Sequence, residues 1–218
     1  MSKGGRVVKD GPISDEYNKT KIKVLHLLKE PTDDKYGSIP VRVEKDGICI
    51  FKSRSTLFKI SALRSYCVQN NFQKLDTIKN VQKQSLLDAL RKSALMNISK
   101  ICRYAIRTTD KELSVFIKEN FSKRIDELRK EEYRPDVIIC GGINMLPKIT
   151  KFLGIKEENI ATTKGGRPYF YFKDENWQTI FFSCLHPSDT SAKSSKGFRI
   201  FCQSWKEIYD KYSFLHKT

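Results

Sequence analysis

A chain of 218 residues with 39% apolar side chains is long enough for one domain with a real core. A formal net charge of +16 argues for a polyanionic partner, most simply nucleic acid. No apolar run approaches the roughly 18 residues of a membrane span and no secretory leader opens the chain, so the expectation is a cytoplasmic protein without a membrane partner.

Residues 1–20 carry Gly, Lys and Asp without periodicity and read as a flexible basic arm. A single domain is expected over 21–218. Residues 21–28 (KIKVLHLL) form a short continuous apolar run, suited to a buried central strand. It stops at Lys29-Glu30-Pro31-Thr32-Asp33-Asp34-Lys35-Tyr36-Gly37, which sets a carboxylate, Glu30, where the strand ends. Residues 41–51, with a Lys45-Asp46-Gly47 turn, predict a small hairpin. Ser55 or Thr56 caps a helix with Leu57, Ile60, Leu63 and Cys67 inward, and a second helix covers 84–92 with Leu86, Leu87 and Leu90 inward. The apolar run at 93–100 is broken by Asn97. An asparagine at the end of a buried strand must find hydrogen-bond partners or a ligand.

Thr109-Asp110-Lys111-Glu112 matches a capping box. The helix it opens carries Leu113, Ile117, Phe121, Ile125 and Leu128 on one stripe and ends before Pro135. A buried strand follows at 136–140, closed by Gly141-Gly142, a pair that permits a tight turn or close approach of a ligand. A helix over 145–153 stops at Gly154. Two strands, 168–172 and 177–184, flank a turn at Lys173-Asp174-Glu175-Asn176. The second must end before Pro187, which cannot donate to a ladder, and this leaves His186 at its end. A last helix over 197–212 carries Phe198, Phe201, Trp205, Ile208 and Tyr212 as a core stripe.

Strands alternating with helices predict an α/β fold with a mostly parallel sheet, whose ligands bind beyond the carboxyl ends of the strands. Glu30, Asn97, Gly141-Gly142 and His186 all fall at such ends. The six cysteines form no C-x-x-C pair and mostly lie in apolar runs, which reads as buried reduced thiols. With three histidines in the chain, neither a metal nor a cofactor is expected.

Taken in order, Leu28-Lys29-Glu30-Pro31-Thr32, Leu95-Met96-Asn97, the run from Val137 to Gly142, and His186-Pro187-Ser188 resemble the motifs of the uracil-DNA glycosylase superfamily, over about residues 21 to 200. The resemblance implies a three-layer α/β/α sandwich around a short, mostly parallel four-stranded sheet. It implies hydrolysis of the N-glycosidic bond of a base flipped out of DNA, leaving an abasic site. In that chemistry a carboxylate, Glu30 or Asp33 with Asp34 as a further choice, serves the cationic sugar. His186 donates to the departing base, and Asn97 reads the base edge. Gly141, Gly142, Ser188, Thr190, Ser191, Lys193, Lys196, Lys164 and Arg167 would grip DNA phosphates.

The chain departs from the family in three ways. The family's Gly-Gln before the acid is Leu28-Lys29 here, its Asp is Glu30, and the aromatic ring after Pro31 is Thr32. That ring blocks the C5 side of the base. Thr32 leaves the side open unless Tyr36 fills it. The departure favours a 5-substituted pyrimidine, such as hydroxymethylated or glycosylated cytosine in foreign or phage DNA. Uracil excision in repair is the alternative, and a non-catalytic nucleic-acid-binding module is a further one. The iron–sulfur cluster of some members is not expected, because their N-terminal cysteine pair is missing. DNA is the partner, with no obligate protein partner implied.

Overall fold

Short runs of β-branched and aromatic residues, apolar on both faces, form the centre of a sheet. The computed structural model describes residues 7–29, 37–51, 56–70, 81–100 and 109–216. Its strands are β1 (Gly11–Pro12), β2 (Val24–Leu28), β3 (Ser93–Asn97), β4 (Val137–Gly141), β5 (Ala161–Thr162), β6 (Pro168–Lys173) and β7 (Gln178–Cys184). They pair in the order β1-β3-β2-β4-β7-β6-β5. The central four, β3, β2, β4 and β7, are parallel, while β1, β6 and β5 add to the flanks antiparallel. The sheet therefore has seven strands where four were expected. The expected four are its parallel centre.

Register decides where a ligand can sit. Leu28 pairs with Asn97, Leu27 with Cys140, and Gly141 with Cys184. The carboxyl ends of the four central strands are thus level and form one edge.

Helices cover both faces. Because side chains alternate along a strand, Leu25, Leu27, Ile138, Cys140 and Phe181 share one face. They pack there with Leu113, Ile117, Phe121 and Leu128 of one helix and with Met145 and Ile149 of another. The opposite face, with Val24, Val137, Ile139, Ile180 and Phe182, packs on Cys67 and Val68 and on Phe201, Trp205 and Ile208. A neighbouring cluster joins Leu28 and Leu95 to Val43, Phe58 and Leu87. The helices are α1 (Glu16–Lys19), α2 (Ile39–Asp46), α3 (Thr56–Gln69), α4 (Lys83–Arg91), α5 (Asp110–Arg129), α6 (Met145–Leu153), α7 (Thr190–Lys193) and α8 (Ser195–Lys211). α5 and α6 form one outer layer, and α2, α3, α4 and α8 the other. The result is the expected three-layer sandwich. Among the described residues, no helix is long and apolar enough to cross a membrane.

Two expectations change. Residues 39–46 are helical, and a 3₁₀ turn follows at Gly47–Phe51, where a hairpin was expected. Ser38 caps the helix by accepting the Val41 N–H, Pro40 fits the first turn, and Ile39 and Val43 bury one face at helical spacing. The loose arm expected over 1–20 gives way, for residues 7–20, to packed structure. Val8 and Tyr17 are buried, and β1 hydrogen-bonds along β3.

Candidate functional site

His186 lies two residues past the end of β7, half-buried. The Ser188 backbone N–H donates to its Nδ1 at 3.2 Å, and the Ser188 hydroxyl is 2.6 Å from the same nitrogen. A backbone N–H can only donate, so Nδ1 is an acceptor and the ring proton sits on Nε2. Burial first, then the charges of Lys29 and Arg64, push the His186 pKa down to about 4, with Asp189 opposing. At neutral pH the ring is an uncharged imidazole that offers Nε2–H. Two glycines seat it. A side chain at Gly141 would come within 2.9 Å of Leu28, 3.3 Å of the Leu27 carbonyl and 3.4 Å of Pro187, so glycine lets the loop rest on the strand ends without displacing them. Gly142, at φ 129°, donates its N–H to the Cys184 carbonyl at 2.8 Å. Gly141 is favoured by these close contacts and Gly142 by its positive φ.

Asn97, the last residue of β3, is 1% exposed. Its backbone N–H donates to Asp10 Oδ2 at 2.7 Å, and its Nδ2 faces the same oxygen at 3.5 Å. Turning the amide over would set its oxygen against the carboxylate, so the orientation follows from electrostatics. Oδ1 is left buried with no hydrogen bond. A buried unpaired acceptor costs about 1–3 kcal/mol, and a ligand N–H placed there would recover it. The Asp10 carboxylate pairs with Lys100 at 3.5 Å. Burial raises its pKa, opposed by the Asn97 N–H, Lys100 and Arg124. Between Asn97 and His186 stand β2 and β4. Three strand spacings put the two ends about 14 Å apart along one edge.

On the other side of β7 from Asn97, a cleft of about 490 Å³ is lined by Arg167, Leu185, Ser191, Ser194, Lys196, Gly197 and Ile200. A tight double turn builds it. Asp189 caps α7 by accepting the Ser191 N–H, and Ser194 caps α8 by accepting the Gly197 N–H. Ser194 also donates to the Ser191 carbonyl at 2.7 Å. A side chain at Gly197 would meet that carbonyl at 2.0 Å, so the turn requires glycine. The 163–167 turn is tied to α8 by Thr163 Oγ1 with Ser204 Oγ at 2.8 Å and by the Lys164 N–H to Glu207 at 2.9 Å. This brings Arg167 to the start of α8.

Of the residues expected to grip phosphates, Arg167, Ser191 and Lys196 line this cleft. Ser188 serves His186, and Lys164 is not among the cleft-lining residues. Thr190 and Lys193 belong to α7, and their side chains lie outside the described part. Glu30, Thr32, Asp33, Asp34 and Tyr36 lie outside the described residues. Among the described residues, no group of three or more His, Cys, Asp or Glu side chains could hold a metal ion.

Sequence reasoning passed over Asp10, Lys29 and Arg64. Asp10 sits in a tract with no periodicity, which gave no signal. Arg64 had one. It shares the inward stripe of α3 with Ile60, Cys67 and Val68, where a charge has no business without a partner. Compared with models of known protein families and with functionally characterised proteins, the chain finds no match.

Proposed function

We propose that this protein is a DNA glycosylase that hydrolyses the bond between deoxyribose and a flipped base. The observation that carries the reading is the neutral His186, with its proton on Nε2, level with Asn97 on the carboxyl edge of a parallel sheet. Breaking an N-glycosidic bond passes through an oxocarbenium-like sugar and puts negative charge on the leaving base. An uncharged N–H donor held by its own loop stabilises that charge without having to lose a proton, and such a donor is typically worth about 10²–10³ in rate. Asn97 complements it, because its buried Oδ1 lacks a donor that a pyrimidine edge carries. The carboxylate for the sugar is Glu30, or else Asp33 or Asp34. The basic cleft beyond β7 and the net charge of +16 support DNA as the substrate.

The preferred base is a cytosine substituted at C5, hydroxymethylated or glycosylated. Thr32 in place of an aromatic ring supports this choice. The compartment in this reading is the cytoplasm, which keeps the buried free thiols of Cys67, Cys140, Cys184 and Cys202 reduced. The test is incubation with DNA from unmodified and base-modified phages, scored for alkali-labile sites. Breaks in the modified DNA alone support the reading. Breaks confined to uracil-containing DNA make this a uracil glycosylase, and binding without breaks makes it a silent binding module.

A further inference from the structure

We infer that Arg64, on α3, is a positioning residue for His186: it anchors the carbonyl just before the histidine and so fixes where the ring is held. Its part in base release rests on the glycosylase reading, but its hold on the ring does not.

Past the ladder of β7, three successive carbonyls are held by three different donors. The Gly142 N–H donates to the Cys184 carbonyl at 2.8 Å, Arg64 Nη2 to that of Leu185 at 3.0 Å, and the Asp189 N–H to that of His186 at 2.9 Å. Pro187 fixes φ directly after the ring. With the backbone pinned on both sides, the Ser188 N–H meets His186 Nδ1 at 3.2 Å, the bond that leaves the ring proton on Nε2. Two of the three donors are backbone groups of neighbouring turns. Arg64 instead ties the loop to a covering helix layer, where its guanidinium lies over the Phe201 ring of α8 at 5.5 Å.

Packing gives no reason for an arginine at this place. The residue is 3% exposed, its Nε and Nη1 are buried without partners, and no carboxylate neutralises it among the described residues. An apolar side chain of similar volume in place of such a charge is often neutral or stabilising. What arginine supplies is a donor that reaches Leu185 and a positive charge beside the histidine. After burial, the charges facing His186 are Lys29, one residue past β2, Arg64 on α3, and Asp189 in its own loop. The two cations oppose protonation of the ring and the carboxylate favours it. Protonation also requires Nδ1 to give up the Ser188 N–H. The anchor and the charge of Arg64 therefore act on one event, and both keep the ring neutral with its proton on Nε2. A local cost with a gain at the neighbouring site is the pattern expected of a residue kept for function.

The test is nitrogen NMR of the histidine rings in the full chain, with melting and single-turnover base release measured on the same proteins. His186→Ala assigns the signal among the three histidines. Wild-type His186 carries its proton on Nε2 and titrates near 4. In Arg64→Met the ring becomes a mixture of tautomers and titrates between 4 and 6.5, because an anchor and a repelling cation have gone. The same variant melts no lower than wild type. It binds duplex DNA as tightly as wild type and releases base about 10–100-fold more slowly. Should Arg64→Met not fold, Arg64→Gln, which also drops the charge and the reach to Leu185, gives the same result. Lys29→Met separates charge from anchoring: it raises the titration and leaves the proton on Nε2. The inference is overturned if a folded Arg64 variant keeps the wild-type tautomer and titration, or if Lys29→Met shows the same mixed tautomers. Loss of fold in both Arg64 variants makes the residue structural and overturns it too. The expected ring changes without base release by wild type refute only the glycosylase reading. Base release by wild type with unchanged rings in the variants refutes only the positioning role.

Discussion

Replacing Asp10 tests how the end of β3 is held. Its carboxylate accepts the Asn97 backbone N–H at 2.7 Å, a charge-assisted bond worth about 1.5–3 kcal/mol. The 3.5 Å contact with Asn97 Nδ2 is long and adds little. The Lys100 pair is also weak, since that lysine is 30% exposed and shared with Glu127. Asp10→Ala therefore loses about 2 kcal/mol, and a domain of this size then melts roughly 4–8 °C lower. Asp10→Asn behaves differently, because it keeps an acceptor for the N–H and removes a buried charge. Burial raises the folded-state pKa of Asp10, so the folded protein holds this proton to higher pH than the unfolded chain. Between the ordinary carboxylate value and the raised one, the unfolded state binds fewer protons, and this group's contribution to stability falls as pH rises. Asp10→Asn thus melts at or above wild type at pH 7, with a lead that grows with pH across that window. Melting curves of the three proteins from pH 4 to 7.5 decide it. An Asp10→Ala protein that melts within a degree of wild type refutes the reasoning, as does an Asp10→Asn protein that melts as low as Asp10→Ala at pH 7.

His186→Ala and Asn97→Ala keep DNA affinity and lose about 10²–10³ in base release; loss of fold in both, by circular dichroism, counts against a role in chemistry. Base release shows no step near pH 6.5, the ordinary histidine value, because His186 titrates near 4. Burial likewise holds His26 down to about 3, so the unfolded chain takes up protons first. Stability is lost as pH falls below about 6.5, towards 4 for His186 and 3 for His26. Urea unfolding across that range, compared with His26→Gln, isolates the His26 share. Affinity for duplex DNA falls with log salt at about −0.9 per phosphate contact, and a flat salt dependence contradicts electrostatic binding.

The elements legible in the sequence were those whose signals are local. β2, β3, β4 and β7 announced themselves as short, predominantly apolar runs without alternation, because a strand buried on both faces has no polar side to show. The α5 start was legible from Thr109 and Glu112, whose two reciprocal bonds are both present. Gly154 stops α6 in the left-handed region at φ 67°, as a glycine there should. α2 was missed because Val41, Val43 and the Lys45-Asp46-Gly47 turn outweighed Ser38 and Pro40, which mark a helix start. β1 could not be read at all, since two residues make a strand only when β3 offers them an edge. His186 and Asn97 were legible as candidate site residues because proline and asparagine punctuate strand ends. Asp10 was not, because its role depends on a contact across 87 residues. Arg64 needed the observation that it is buried with no acid partner among the described residues, which only the packed structure supplies.

The central claim is tested most directly by single-turnover excision on one duplex sequence carrying cytosine, 5-hydroxymethylcytosine, its glucosylated form or uracil at one position. Strand breaks after alkali are the readout. The account predicts breaks at a 5-substituted cytosine, faster than at uracil and absent at cytosine, with His186→Ala slowing them about 10²–10³-fold. No breaks on any of the four duplexes, or rapid breaks at uracil alone, would contradict it.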